Sequence, residues 1–358
     1  MNKAEIEKKN KNRIRFFIIA TICIVVVIAA IIALVVGDAY SKSFVASVGS
    51  EKITVPEFRF FLKQQKVLML SIAGSSDTDT FWNTQISGER AIDIAKGKAL
   101  DNAKEFKIQL SKAKEAGVFL AKTDKDLVKT NHDAILKNNN NSATAANQYC
   151  LVTYGITYGE YSQILSEVVI YNKFRQAELN KITVTDAETK AKFDADPRSY
   201  DKVSVRSILY LTTDATTGAA LSDDKIKLAE TSANDMLARV KAGEDMQALA
   251  LQYSQDPTVK DNSGLFTFDK YEAVTQAYDT NFSAWALKAS VGDASVVKTS
   301  QGYQVVKLEK RDAPGYDNVK SKISDDIKSE NLTNQITAWV KDPKYTTKYN
   351  NAIYNSIN

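Results

Sequence analysis

The longest apolar pattern comes first in the chain. Residues 16–36, FFIIATICIVVVIAAIIALVV, carry no charge and a single hydroxyl residue, Thr21. A helix of this length, at ~1.5 Å per residue, covers roughly the ~30 Å hydrocarbon core of a bilayer. The run exceeds the about 7–15 apolar residues of a cleavable signal peptide, so it predicts a transmembrane signal anchor, with a buried core helix as the alternative. Lys3, Lys8, Lys9, Lys11, Arg13 and Arg15 precede it. The positive-inside rule then keeps the basic segment 1–15 in the cytoplasm and exports the chain from about residue 38 onward.

Beyond the run the pattern changes period several times. SFVASVGSEKIT (43–54) alternates around a Gly-Ser step and predicts a short hairpin. Thr54-Val55-Pro56-Glu57 has capping-box spacing, with proline in the first turn, and predicts a helix to about Ser71. Over 89–116, Ile92, Ala95, Ala99, Ala103, Phe106 and Leu110 recur every three or four positions, an amphipathic helix stopped at Gly117. Another helix is expected from Asp124 to the Asn138–Asn141 run. Capping boxes at Thr157–Glu160 and Thr185–Glu188 announce two more. The region 43–195 is therefore read as a helical domain.

The period becomes two at VSVRSILYL (203–211). Helices are expected at 223–242, over EDMQALALQY and around Trp285, with strands at SGLFTF (263–268) and at the closing segment TSQGYQVVKLEKR (299–311). Residues 200–312 thus read as a compact α/β domain. A final amphipathic stripe, Val319, Ile323, Ile327, Leu332, Ile336 and Trp339, marks a helix at 315–341. Alternation sets Ser207 among Val203, Val205, Leu209 and Leu211, and sets Gln304 with Val306 and Leu308. Each is the lone polar residue on an apolar strand face. From spacing alone they are either two incidental polar residues near a sheet edge, satisfied by water, or a polar cluster shared by paired strands.

Composition removes several function classes. At 44% hydrophobic and 25% charged the chain is globular. A net charge of +4 without aromatic–basic interleaving gives no reason to expect nucleic acid. Two cysteines, Cys23 and Cys150, and one histidine, His132, form neither a CxxC motif nor a histidine-rich metal site, and no cofactor or metal is expected. His132 reads as a surface or cap residue, Cys150 as a small buried one, and Trp82 and Trp339 as core.

The segments VRSILYL, AGEDMQALALQYSQDP, SGLFTF and WALKASVGDASVVKTSQGYQVVKLEKR together resemble the parvulin family of peptidyl-prolyl isomerases. VASVGSEKITVPEFRFFL and AKEAGVFLAKTD are similar to the helical chaperone domain of PrsA- and SurA-type foldases. The resemblance implies an α+β chain: a helical domain completed by a C-terminal helix within 313–358, an inserted parvulin-like domain at 200–312 with a small antiparallel sheet, and the N-terminal transmembrane helix. It implies a single-pass, extracytoplasmic protein of a Gram-positive-type envelope. Its partners would be unfolded or newly exported polypeptides and their proline-containing segments. The family usually has histidines where this chain has Ser207 and Gln304, and Asp256 matches its third polar position. Those three are the implied catalytic set, and Leu265, Phe268 and Phe282 the implied proline-binding set. The family's Gly-Gly-Asp-Leu-Gly turn is here Asn-Ser-Gly-Leu-Phe (262–266), so Phe266 is expected to fill or reshape the pocket. With both histidines replaced, weakened isomerisation is expected. The alternatives are a non-catalytic chaperone and a structural envelope protein that keeps the fold as a peptide-binding module.

Overall fold

The computed structural model describes residues 43–214 and 219–357 of the chain. The apolar run at 16–36 and its basic flank lie outside the described residues, and no helix among those described is long and apolar enough to cross a membrane. The chain divides into two compact units. Among the described residues, one holds 43–70, Asp77–Glu178 and 334–357; the other holds Ser71–Ser76 and Leu179–Thr333.

In the first unit, β1 (Phe44–Val48) and β2 (Glu51–Thr54) form the expected hairpin. The Thr54 capping box then starts α1 (Val55–Ala73): Glu57 N donates to Thr54 Oγ1, and Thr54 N donates to Glu57 Oε2 at 2.7 Å. Next comes α2 (Asp79–Asn83), capped by Thr78. A two-residue ladder of β3 (Gln85–Ile86) and β4 (Glu89–Arg90) leads into α3 (Ala91–Glu115). Ala95, Ala99 and Ala103 are fully buried on α3, and these small side chains let a core of Ile53, Val55, Phe58 and Phe106 close against the helix. α4 (Lys122–Asn138), α5 (Ala143–Tyr154) and α6 (Tyr158–Lys181) follow, α6 opened by the Thr157–Glu160 box.

The second unit takes in α7 (Asp186–Ala195), again started by its Thr185–Glu188 box. Its chain then runs through β5 (Lys202–Leu211), α8 (Asp223–Lys241), α9 (Met246–Tyr253), α10 (Val259–Asn262), β6 (Leu265–Phe268), α11 (Lys270–Thr275), α12 (Thr280–Lys288), β7 (Ala294–Lys298) and β8 (Gly302–Asp312). The four strands form one antiparallel sheet in the order β6-β5-β8-β7. Both faces are covered. Ile208, Tyr303 and Val305 pack with Ala233, Met236 and Leu249, while Val203, Val205, Val306 and Leu308 pack with Phe268, Phe282 and Ala286.

The unit boundaries differ from those expected at 195/200 and 312/313. Phe193 of α7 stacks on Tyr200 with ring centroids 5.6 Å apart. α13 (Tyr316–Lys341) is shared between units: Val319 and Ile323 bury with Tyr200 in the second, whereas Trp339 packs against the core of the first. The alternation of apolar positions marked the helix but not its change of partner. After α13, β9 (Thr347–Tyr349) pairs with β1, and α14 (Asn351–Ser356) follows.

Candidate active site

Antiparallel pairing sets Ser207 opposite Val306 and Leu209 opposite Gln304. Ser207 and Gln304 are therefore diagonal neighbours on one face of adjacent strands, close enough for side chains to meet. Ser207 Oγ donates to Gln304 Oε1 at 3.2 Å, and the two residues are only 4% and 9% exposed. Of the two readings open from spacing, the shared polar cluster is the one that forms. Gln304 Nε2 keeps both protons without a hydrogen-bond partner among the described residues.

Gln304 lines a pocket of about 340 Å³ with Asp256, Phe266, Tyr278, Asp279, Phe282 and Gln301 among its walls. The apolar wall is an aromatic nest in which the Phe266 ring meets Tyr278 and Phe282 edge-on at 5.7 and 5.6 Å. Burial pushes the Tyr278 phenol up in pKa, so it stays neutral at physiological pH. It donates to Gln276 Oε1 at 2.5 Å.

Three loops frame the mouth, each tied down by local chemistry. Leu209 N donates to Ser254 Oγ, and Gln255 N donates to Leu209 O, pinning the segment before Asp256 to β5. Asp256 Oδ1 then accepts from Thr258 N and Thr258 Oγ1, both at 2.7 Å. Asp279 caps α12 by accepting from Asn281 N and Phe282 N, and its other oxygen accepts from Ser300 N at 2.9 Å. Gly264 holds β6 against Ser207. At φ +72° its ideal Cβ would lie 2.5 Å from Ser207 O, so no larger residue fits.

Of the six implied site residues, Ser207, Gln304, Asp256 and Phe282 converge here. Leu265 does not. It pairs with Arg206, and strand alternation turns it to the opposite sheet face. Phe268 is on the correct face but fully buried, a core residue behind the pocket whose ring lies 4.8 Å from Tyr278. Phe266, expected to reshape the pocket, is instead its lining aromatic. Tyr278, Asp279 and Gln301 carried no motif in the sequence. No group of acidic, histidine or cysteine side chains that could hold a metal occurs among the described residues. Cys150 is fully buried, and burial raises its thiol pKa.

Residues 186–312 match the family model of the PPIC-type peptidyl-prolyl isomerase domain. The match starts at α7, within the second unit rather than at residue 200. Over 287 residues the chain is 28% identical to the foldase protein PrsA of Caldanaerobacter subterraneus subsp. tengcongensis, covering 80% of this chain and 79% of that protein. Over 334 residues it is 25% identical to the foldase protein PrsA of Clostridium kluyveri, covering 88% and 91%. A crystal structure of PrsA from Streptococcus pneumoniae aligns at TM-score 0.37 and 19% identity, over 76% of this chain and 97% of that one. The domain at 186–312 is of the parvulin type. Over most of its length the chain is similar to foldase proteins of the PrsA type.

Proposed function

We propose that this protein is a membrane-anchored extracytoplasmic foldase whose parvulin-type domain isomerises X–Pro bonds slowly. The observation that carries this reading is the aromatic pocket of Phe266, Tyr278 and Phe282 with Gln304 at its floor. Rotation about an X–Pro bond breaks no covalent bond, but amide resonance must be lost over a barrier of ~18–20 kcal/mol. Proline enters the aromatic nest and leaves water. The unpartnered Gln304 amide donates to the twisted imide, whose nitrogen and carbonyl are then no longer conjugated. Ser207 acts through Gln304 by fixing its Oε1, which sets which way the amide points. Asp256 sits at the mouth. No proton is transferred, so the loss of the family's histidines is compatible with residual activity.

The full chain in detergent should accelerate isomerisation of proline tetrapeptides by a small but measurable factor. Ser207→His with Gln304→His should raise the rate, each ~1.4 kcal/mol of barrier being tenfold. A rate equal to the uncatalysed one in both proteins would sink the isomerase reading. The second reading, a chaperone without catalysis, draws support from a hollow of about 380 Å³ in the first unit, lined by Phe60, Phe61, Phe106, Val168 and Tyr171. The anchor at 16–36 rests on the sequence alone. Protease added to protoplasts should remove nearly everything after Gly37, and protection of that region would refute the topology.

A further inference from the structure

We infer that the pocket of the parvulin-type domain selects prolines flanked by lysine or arginine and disfavours those flanked by acidic residues. The inference rests on the proposed reading of this pocket as a proline site and names the sequence context it takes. Two carboxylates, Asp256 and Asp279, line the pocket together with Gln304, and no lysine or arginine does. Their situations differ. Both Asp279 oxygens are engaged, by the first turn of α12 and by Ser300. Asp256 uses Oδ1 alone, for Thr258. Its Oδ2 has no hydrogen-bond partner among the described residues and keeps its capacity to accept from a ligand.

Of the nearby cations, Lys260 on α10 is exposed and outside the pocket lining, and two others are committed elsewhere. Arg206 forks onto Glu309 with Nε–Oε1 at 2.6 Å and also donates to Ser263 O, and its strand position faces away from Gln304. Lys298 stands over the Tyr303 ring at 5.7 Å, on that same opposite face. A chain whose proline fills the aromatic nest therefore brings its neighbouring residues to a rim whose only charged lining groups are carboxylates. Partly exposed rims of this kind set preference more than raw affinity.

The test uses the full chain in detergent and blocked, dye-labelled peptides that differ only around one proline: Lys-Pro-Lys, Ala-Pro-Ala and Glu-Pro-Glu. A matched Lys-Ala-Lys peptide is the control. Fluorescence anisotropy at about 20 mM salt should rank Lys over Ala over Glu, with about tenfold between the extremes. Asp256→Asn keeps the Oδ1 acceptor for Thr258 and should shrink that ratio about threefold. Raising salt to about 0.5 M should nearly abolish it. Equal affinities for the three proline peptides would overturn the preference while leaving the pocket as a proline site, and a ratio untouched by Asp256→Asn would overturn its assignment to the carboxylate of this pocket. Equal binding of Lys-Pro-Lys and Lys-Ala-Lys would show that charge acts elsewhere on the molecule. Failure of all three proline peptides to bind would overturn the pocket reading and the preference with it.

Discussion

Each unit buries a polar cluster in its core, and the two clusters solve the same physical problem differently. In the second unit, Ser207 and Gln304 are neutral and meet through one hydrogen bond, with the spare amide protons at a pocket. In the first unit, Glu57, Lys107 and Glu167 come together from α1, α3 and α6. Glu57 is 1% exposed, yet both its oxygens are satisfied: Oε2 accepts from Thr54 N and Thr54 Oγ1, and Oε1 pairs with Lys107. Glu167 is the surplus member. Its Oε1 accepts from Gln163 at 3.3 Å, while its Oε2 is buried without a partner. A neutral pair costs little to bury once bonded, whereas a buried charge needs a full set of partners. The charged cluster therefore ties the stability of the first unit to pH and to each member, whereas the Ser207–Gln304 pair has no titrating member; the buried charges of the second unit lie elsewhere, in the Arg311–Asp201 and Arg206–Glu309 pairs.

The sharpest way to break the comparison is to remove the cation. Burial works against the Lys107 ammonium, but the carboxylates of Glu57 and Glu167 outweigh it and hold its pKa above the ordinary lysine value. Lys107→Met leaves Glu57 buried without its counter-charge and should cost about 3–5 kcal/mol. Urea unfolding checks this in a Trp285→Phe background, because Trp82 and Trp339 then report the first unit alone. A loss below about 1 kcal/mol would mean that the pair contributes no more than a surface ion pair.

A second experiment removes the surplus acid. Burial, then the neighbouring Glu57, push the Glu167 carboxyl up to about 8, so it is protonated at neutral pH. The folded value lies above the unfolded one. The protonated carboxyl's contribution is thus fully present below about pH 4.5 and is lost as pH rises through about 8. Glu167→Gln should flatten that slope and stabilise the first unit by about 2–4 kcal/mol at pH 8.5. Guanidinium midpoints at pH 5.5, 7 and 8.5 read the effect. Parallel pH curves for wild type and variant would assign the slope to some other group.

What could be read in advance follows the range of the interactions. The three capping boxes form because each joins residues three apart, and the strand faces of Ser207 and Gln304 follow from period two alone. Glu57 was visible only as a cap. Its meeting with Lys107 joins residues fifty positions apart, and nothing in either local pattern signals it. The pairing of β9 with β1 was hidden for the same reason, as was the division of α13 between units. Leu265 was misassigned because the family's turn departs at 262–266, and a shift of one residue in a strand exchanges its faces. The register instead brings Phe266 to the pocket.

The smallest expected effect lies in the neutral pair. Ser207→Ala removes the one donor to Gln304 Oε1 and leaves a buried acceptor beside a pocket that water can enter. The loss should be about 1 kcal/mol, the ordinary worth of a neutral hydrogen bond. It should not vary with pH or salt, because neither partner titrates. Hydrogen exchange at the β5 and β8 amides measures it within the second unit, without contribution from the charged cluster. The same variant should slow isomerisation more than it destabilises the fold, since a Gln304 amide free to turn presents its protons to the pocket only part of the time. Equal proportional losses of rate and stability would show that Ser207 merely supports the sheet. A rate loss well beyond the stability loss would make the hydroxyl a positioning group for Gln304.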